Sequence, residues 1–177
     1  MRSIRFRFVS LVVASMTVAI GGIACAQGLP LVSAPSAVAV GLFLPSSSDA
    51  KNAGGDSQLY LDAQYGLPVS IPMTPTRTIV SVEGEFGTHS GHHSNIVPLT
   101  IGEYLGSSGK SPFAAHNIYA GLGVGIYWEN IGSDSSTGQI GGYGAIGYNI
   151  GYGFFVQAKY QLVKSANGPI ISVGSRF

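Results

Sequence analysis

The stretch that most constrains this chain is Asn117 to Trp128, NIYAGLGVGIYW. Its even positions, Ile118, Ala120, Leu122, Val124, Ile126 and Trp128, are all apolar, and its odd positions are polar-capable or glycine. A period of two over this length is a β-strand, because successive side chains leave opposite faces of the pleat. One face is large and branched, and the other is thinned to glycine in its middle. A strand of a closed small barrel has this form when its outside touches lipid and its inside must fit its neighbours' side chains.

Composition narrows the setting. Only 10% of the 177 residues are charged while 45% are hydrophobic, against about 25% charged in an ordinary soluble domain. Mean hydropathy is +0.31, yet beyond the N-terminus no apolar run of membrane-helix length occurs. Residues 1–26 have the three parts of a secretory signal peptide: Arg2, Arg5 and Arg7, an apolar core from Phe8 to Ile23, and a small-x-small cleavage site at Ala24 and Ala26. The alternatives are an uncleaved anchor helix, or a lipoprotein signal carrying its lipid on Cys25. Cleavage after Ala26 leaves a chain without cysteine, hence without disulfide or thiol chemistry. It also leaves six basic against eight acidic residues, a balance that gives no reason to expect a nucleic-acid partner.

After a leader over residues 27–36, the alternation recurs through residues 37–177. Eight strands are predicted: Ala37–Leu44, Gln58–Leu67, Arg77–Gly87, Val97–Leu105, Asn117–Trp128, Gln139–Tyr148, Phe154–Leu162 and Ile170–Phe177. The first connection, PSSSDAKNAGGDS, and the third, GTHSGHHSN, read as loops by composition, and the second, GLPVSIPMTPT, carries three prolines that bar a central strand. The predicted fold is an all-β, eight-stranded antiparallel up-and-down transmembrane barrel. Glu103 breaks the apolar face of its strand and is expected near headgroups, where a charge costs little.

Alternation alone does not say which face is out, since a secreted soluble ligand-carrying barrel alternates with its apolar face inward. Three features favour lipid outside. The second face, mostly Gly, Ala, Tyr and Gln, cannot line an apolar cavity. Aromatics of the apolar face fall at strand ends: Phe86 and Trp128 at one, Tyr65, Tyr148, Phe154 and Phe177 at the other. Charges are too few to wet an exterior.

The C-terminus, PIISVGSRF, is an amphipathic strand ending in an aromatic, with Ile171, Val173 and Phe177 on one face. With the eight strands and the export signal, it resembles the small outer-membrane β-barrels of the OmpA-membrane-domain, OmpX and OmpW type. The resemblance implies an outer membrane of the Gram-negative type with both mature termini periplasmic. It implies lipids and lipopolysaccharide as surroundings, and the barrel assembly machinery as a partner of the last strand. It implies a non-enzymatic role in envelope integrity, surface adhesion or passage of small molecules, without a cofactor.

Several residues could carry chemistry. Asp62, Glu83, Glu85, Lys159, Arg77 and Arg176 are expected inside the barrel, the two arginines toward the periplasm. Unpaired buried charges are costly, so these should pair among themselves and with glutamines and tyrosines, as a plug or, alternatively, as an ion path. His89, His92 and His93 could ligate zinc, copper or nickel, but they stand in a glycine-containing loop without a neighbouring carboxylate, so no metal is expected. His92-His93-Ser94-Asn95 is similar to the His-x-Ser-Asn element of the lipid A deacylase PagL, which would make His92 a base and Ser94 a nucleophile. No orienting acid is identifiable. GLGVG is followed by no helix and is not a nucleotide loop.

Overall fold

The computed structural model describes residues 36–67, 76–107, 111–132 and 136–177. The signal-peptide residues, with Ala24 and Ala26, most of the leader and most of the proline-rich segment lie outside them. Eight strands form a closed antiparallel barrel in chain order: β1 Ser36–Phe43, β2 Gln58–Gly66, β3 Thr76–His89, β4 His92–Gly106, β5 Ile118–Ile131, β6 Thr137–Gly151, β7 Phe154–Leu162 and β8 Gly168–Arg176. β8 closes on β1 with Val40 opposite Val173 and Leu42 opposite Ile171. Beyond that ladder, Ser36 and Phe177 exchange backbone hydrogen bonds of 3.1 and 2.9 Å. The secreted-carrier alternative is overturned by the orientation of the faces. Leu122 is 74% exposed, Ile140 86% and Leu162 64%, while Tyr60, Tyr127 and Glu85 are wholly buried.

The two ends of the barrel differ. At the end holding Ser36 and Phe177, here the terminal end, β6 turns into β7 through Gly151, Tyr152 and Gly153. At the opposite, hairpin end, two segments predicted as loops are ordered. Ser48–Gly54 of the first connection forms a short helix, α1. Ser47 stands at its N-cap in extended backbone, Asp49 lies in its first turn, and Gly55 ends it at φ 88°. The composition of PSSSDAKNAGGDS concealed these helix signals, a serine cap, an early acid and a terminal glycine. Ala50 and Ala53, three apart and therefore on one face, are buried. The Gln58 amide donates to the Ala50 carbonyl at 3.1 Å.

The second segment is a hairpin. β3 and β4 continue past the predicted ends until only Ser90 and Gly91 turn between them, at φ 50° and 82°. Positive φ at both central residues is the type I′ arrangement, whose twist matches that of the flanking strands. Glu103 does point outward, half-buried, and accepts a hydrogen bond from Thr78, its cross-strand partner.

Candidate functional site

The lumen is layered. Toward the terminal end, Ala37, Ala39, Ile79, Tyr104, Tyr119, Tyr143 and Phe155 form one apolar cluster. Toward the hairpin end, Phe43, Tyr60, Ile96, Tyr127, Val163, Ala166 and Ile170 form another. Between them lies a polar layer centred on Glu83. Its carboxylate accepts from Lys159 Nζ at 2.5 Å, from Tyr60 Oη at 2.9 Å and from Thr100 Oγ1 at 3.0 Å. Lys159 Nζ also lies 4.1 Å from the centre of the Tyr143 ring, and Tyr143 shares a 3.2 Å hydroxyl–hydroxyl hydrogen bond with Tyr104. Donors from the neighbouring β2 and β4 and from distant β7 thus meet at one carboxylate of β3, and alternation alone could not locate the meeting with β7, 76 residues away.

The six charged residues expected inside do not form one network. Asp62 accepts from the Gln64 amide at 2.7 Å, and Glu85 from the Gln161 amide at 3.0 Å. Both acids are buried near the Glu83–Lys159 pair, but each meets a glutamine rather than a base. Arg77 is exposed at the foot of β3, outside the lumen. It is the first inward-phased position of β3, at the terminal mouth where the barrel opens, so its phase points inward while its depth leaves it exposed. Arg176 stays at the terminal mouth. It donates to Asn149 Oδ1, and its guanidinium lies 4.0 Å from the Phe155 ring centre and 4.8 Å from that of Phe113. The central balance is therefore three carboxylates and one lysine, not three and three.

Each mouth carries a cover. At the terminal end the Asn149 amide donates to the carbonyls of Pro112 and Ala114 at 2.6 and 3.1 Å, drawing segment 111–117 under the barrel. A cavity of about 220 Å³ remains there, lined by Phe113, Phe154, Arg176 and Phe177 among others. At the hairpin end α1 packs against β3, β4 and β5. The chain before α1 is tied to the β7–β8 connection, with Ser46 N–H donating to Asn167 O at 2.7 Å and Ser47 Oγ to Ser165 O at 2.5 Å. Ser165 Oγ in turn donates to Glu129, which also accepts from the Gln139 amide at 3.0 Å. Composition gave no sign of these ties, since they join loop residues distant in sequence.

The deacylase-like element turns its serine inward, away from the outer wall. Ser94 is fully buried on the lumen side, where a side chain on Gly54 of α1 would strike its Cβ. Its hydroxyl has no hydrogen-bond partner among the described residues, His92 included. His93 and Asn95 leave from the other face of β4. Among the described residues no group of three or more His, Cys, Asp or Glu is placed to hold a metal ion.

No protein-family model matches the chain, and no curated protein matches it in sequence. The structure is similar to that of Neisserial surface protein A, NspA, with a TM-score of 0.54 and 17% identity over 80% of this chain and 94% of that one. It is also matched by the Yersinia pestis outer membrane protein Ail, solved in a phospholipid bilayer nanodisc, at a TM-score of 0.49 and 14% identity over 82% of this chain and all of that one. The likeness is one of fold: the small eight-stranded outer-membrane barrel that the C-terminal strand and the alternation suggested.

Proposed function

We propose that the chain is an integral outer-membrane protein whose barrel is a closed, non-enzymatic scaffold, serving envelope integrity or adhesion through α1 and the β3–β4 hairpin. The observation that carries this reading is the division of the wall, apolar outside and filled inside. The exposed face of β5 runs ten residue steps from Ile118 to Trp128, roughly 34 Å at about 3.4 Å per step. Tilted by about 45° this covers roughly 24 Å, the height of an outer-membrane apolar band. Trp128 at one edge and Tyr148, Phe154 and Phe177 at the other are exposed where girdle aromatics belong. In this reading the hairpin end faces outside the cell and the terminal end the periplasm. The exposed Ile171 and Val173 of β8, with Phe177 just beyond it, then form the face offered to the assembly machinery, and lipids with lipopolysaccharide cover the wall.

A filled lumen covered at both mouths supports a structural plug over an ion path. In planar bilayers the folded protein is expected to give no discrete openings, and a stable unitary conductance would overturn the plug. Cell fractionation should recover the protein in the outer membrane with heat-dependent gel mobility, as for a barrel that resists detergent until boiled. Recovery in the soluble fraction would overturn the location.

A further inference from the structure

We propose that His89 and His92, at the tip of the β3–β4 hairpin, form a two-imidazole site for a divalent transition-metal ion of the zinc, nickel or copper class. The two residues are direct cross-strand partners. Side chains of directly opposed residues leave the same face of a hairpin, with Cβ atoms about 4.5–5.5 Å apart. Two imidazoles at that separation can turn one nitrogen each toward a common ion, and neutral imidazole suits all three metals.

The turn makes the pairing specific. Ser90 and Gly91 both hold positive φ, so the strands leave the turn in fixed register rather than as a loose loop. This divides the three clustered histidines. His89 and His92 share the face that looks over α1, whereas His93 is opposite Thr88 and leaves from the other side. His116, the fourth, lies at the other end of the barrel beside Gly151.

The surroundings leave the pair available. Both residues are exposed, and neither imidazole is engaged in a hydrogen bond or ion pair within the described residues. On the side of α1 the His89 ring lies over Gly55, with Cβ and Nδ1 at 3.8 and 4.0 Å from where a Cβ of that glycine would stand. The bare backbone supports the ring without obstructing it. Among the described residues no third group completes the set, which leaves two or more positions on the ion for water or an external ligand.

The test uses the full chain folded in detergent micelles, without an affinity tag and with Cys25 alkylated. Cu²⁺ is titrated and followed by electron paramagnetic resonance, and Zn²⁺ by calorimetry. The expected result is one ion per barrel, with nitrogen hyperfine structure from two imidazoles. His89→Gln and His92→Gln should each weaken binding at least about tenfold, because each removes one of two ligands. His93→Gln should bind as the parent does. Heat-dependent gel mobility checks that each variant is folded, and the exposed tip gives glutamine no packing to disturb. Equal affinity of the parent and the His89→Gln/His92→Gln double variant would overturn the site, as would a loss in His93→Gln matching that of the other two.

Discussion

Lys159→Met is expected to destabilise the barrel by about 3–5 kcal/mol, the cost of leaving a buried carboxylate without its ion partner. Lys159 is the one cation of the polar layer among the described residues, and its ammonium lies 2.5 Å from both oxygens of Glu83. Asp62 and Glu85 stand in the same buried stretch and accept from glutamine amides. Removing the lysine therefore leaves three carboxylates and no counter-charge, while Tyr60 and Thr100 still hold Glu83 in place. The measurement is the denaturant midpoint in micelles, read from the fluorescence of Trp128, the single tryptophan. The double variant Lys159→Met/Glu83→Gln should recover most of the loss, since a buried pair replaced by neutral groups is often close to neutral in stability. A Lys159→Met variant within about 1 kcal/mol of the parent would mean that the lysine does not neutralise the layer, because that is the range of a surface ion pair.

What the sequence shows of this fold is what depends on period. All eight strands, their order and their lipid-facing sides follow from alternation, because a strand exposes its environment every second residue. β7 keeps the predicted span, Phe154–Leu162, where polar Gln157, Lys159 and Gln161 alternate cleanly with Val156, Ala158 and Tyr160. Alternation fails where both faces become polar. Above Gly87 neither face of β3 touches lipid, so Thr88 and His89 carry no contrast and look like loop although they are paired. Ser48–Gly54 fails for another reason: two buried alanines in seven residues are too weak a stripe to show a helix that exists because the barrel mouth beneath it supplies the packing. The interior charges were legible as a set but not as pairs. Register between sequential strands can be guessed, but the meeting of Glu83 with Lys159, 76 residues apart, is set by barrel closure.

The glycines of the inner face carry the second large effect, and they explain why a face so thinned of side chains encloses no wide channel. Four of them face an aromatic ring from elsewhere in the wall: Tyr104 lies against Gly121, Tyr143 against Gly123, Tyr119 against Gly147 and Phe155 against Gly174. A Cβ on Gly123 would stand 2.5 Å from Cζ of Tyr143 and 2.6 Å from the Ile101 carbonyl oxygen. The ring would have to lift, and with it would go both its contact with the Lys159 ammonium and its hydrogen bond with Tyr104. Gly123→Ala should therefore cost about 2–3 kcal/mol, near the upper end of core overpacking. Gly144 is the control. It belongs to the outward set of β6, and a Cβ there meets only Leu122 Cδ2 at 3.5 Å, an ordinary contact. Gly144→Ala should be neutral or stabilise by about 0.5 kcal/mol, since alanine is restrained less costly than glycine. Both variants are compared by denaturant midpoint in the same micelles. Equal losses would show that glycine serves the strands only as backbone. Loss confined to Gly123→Ala would show that the tyrosines rest on the glycines, so that the space the small residues vacate is already occupied by their neighbours' rings.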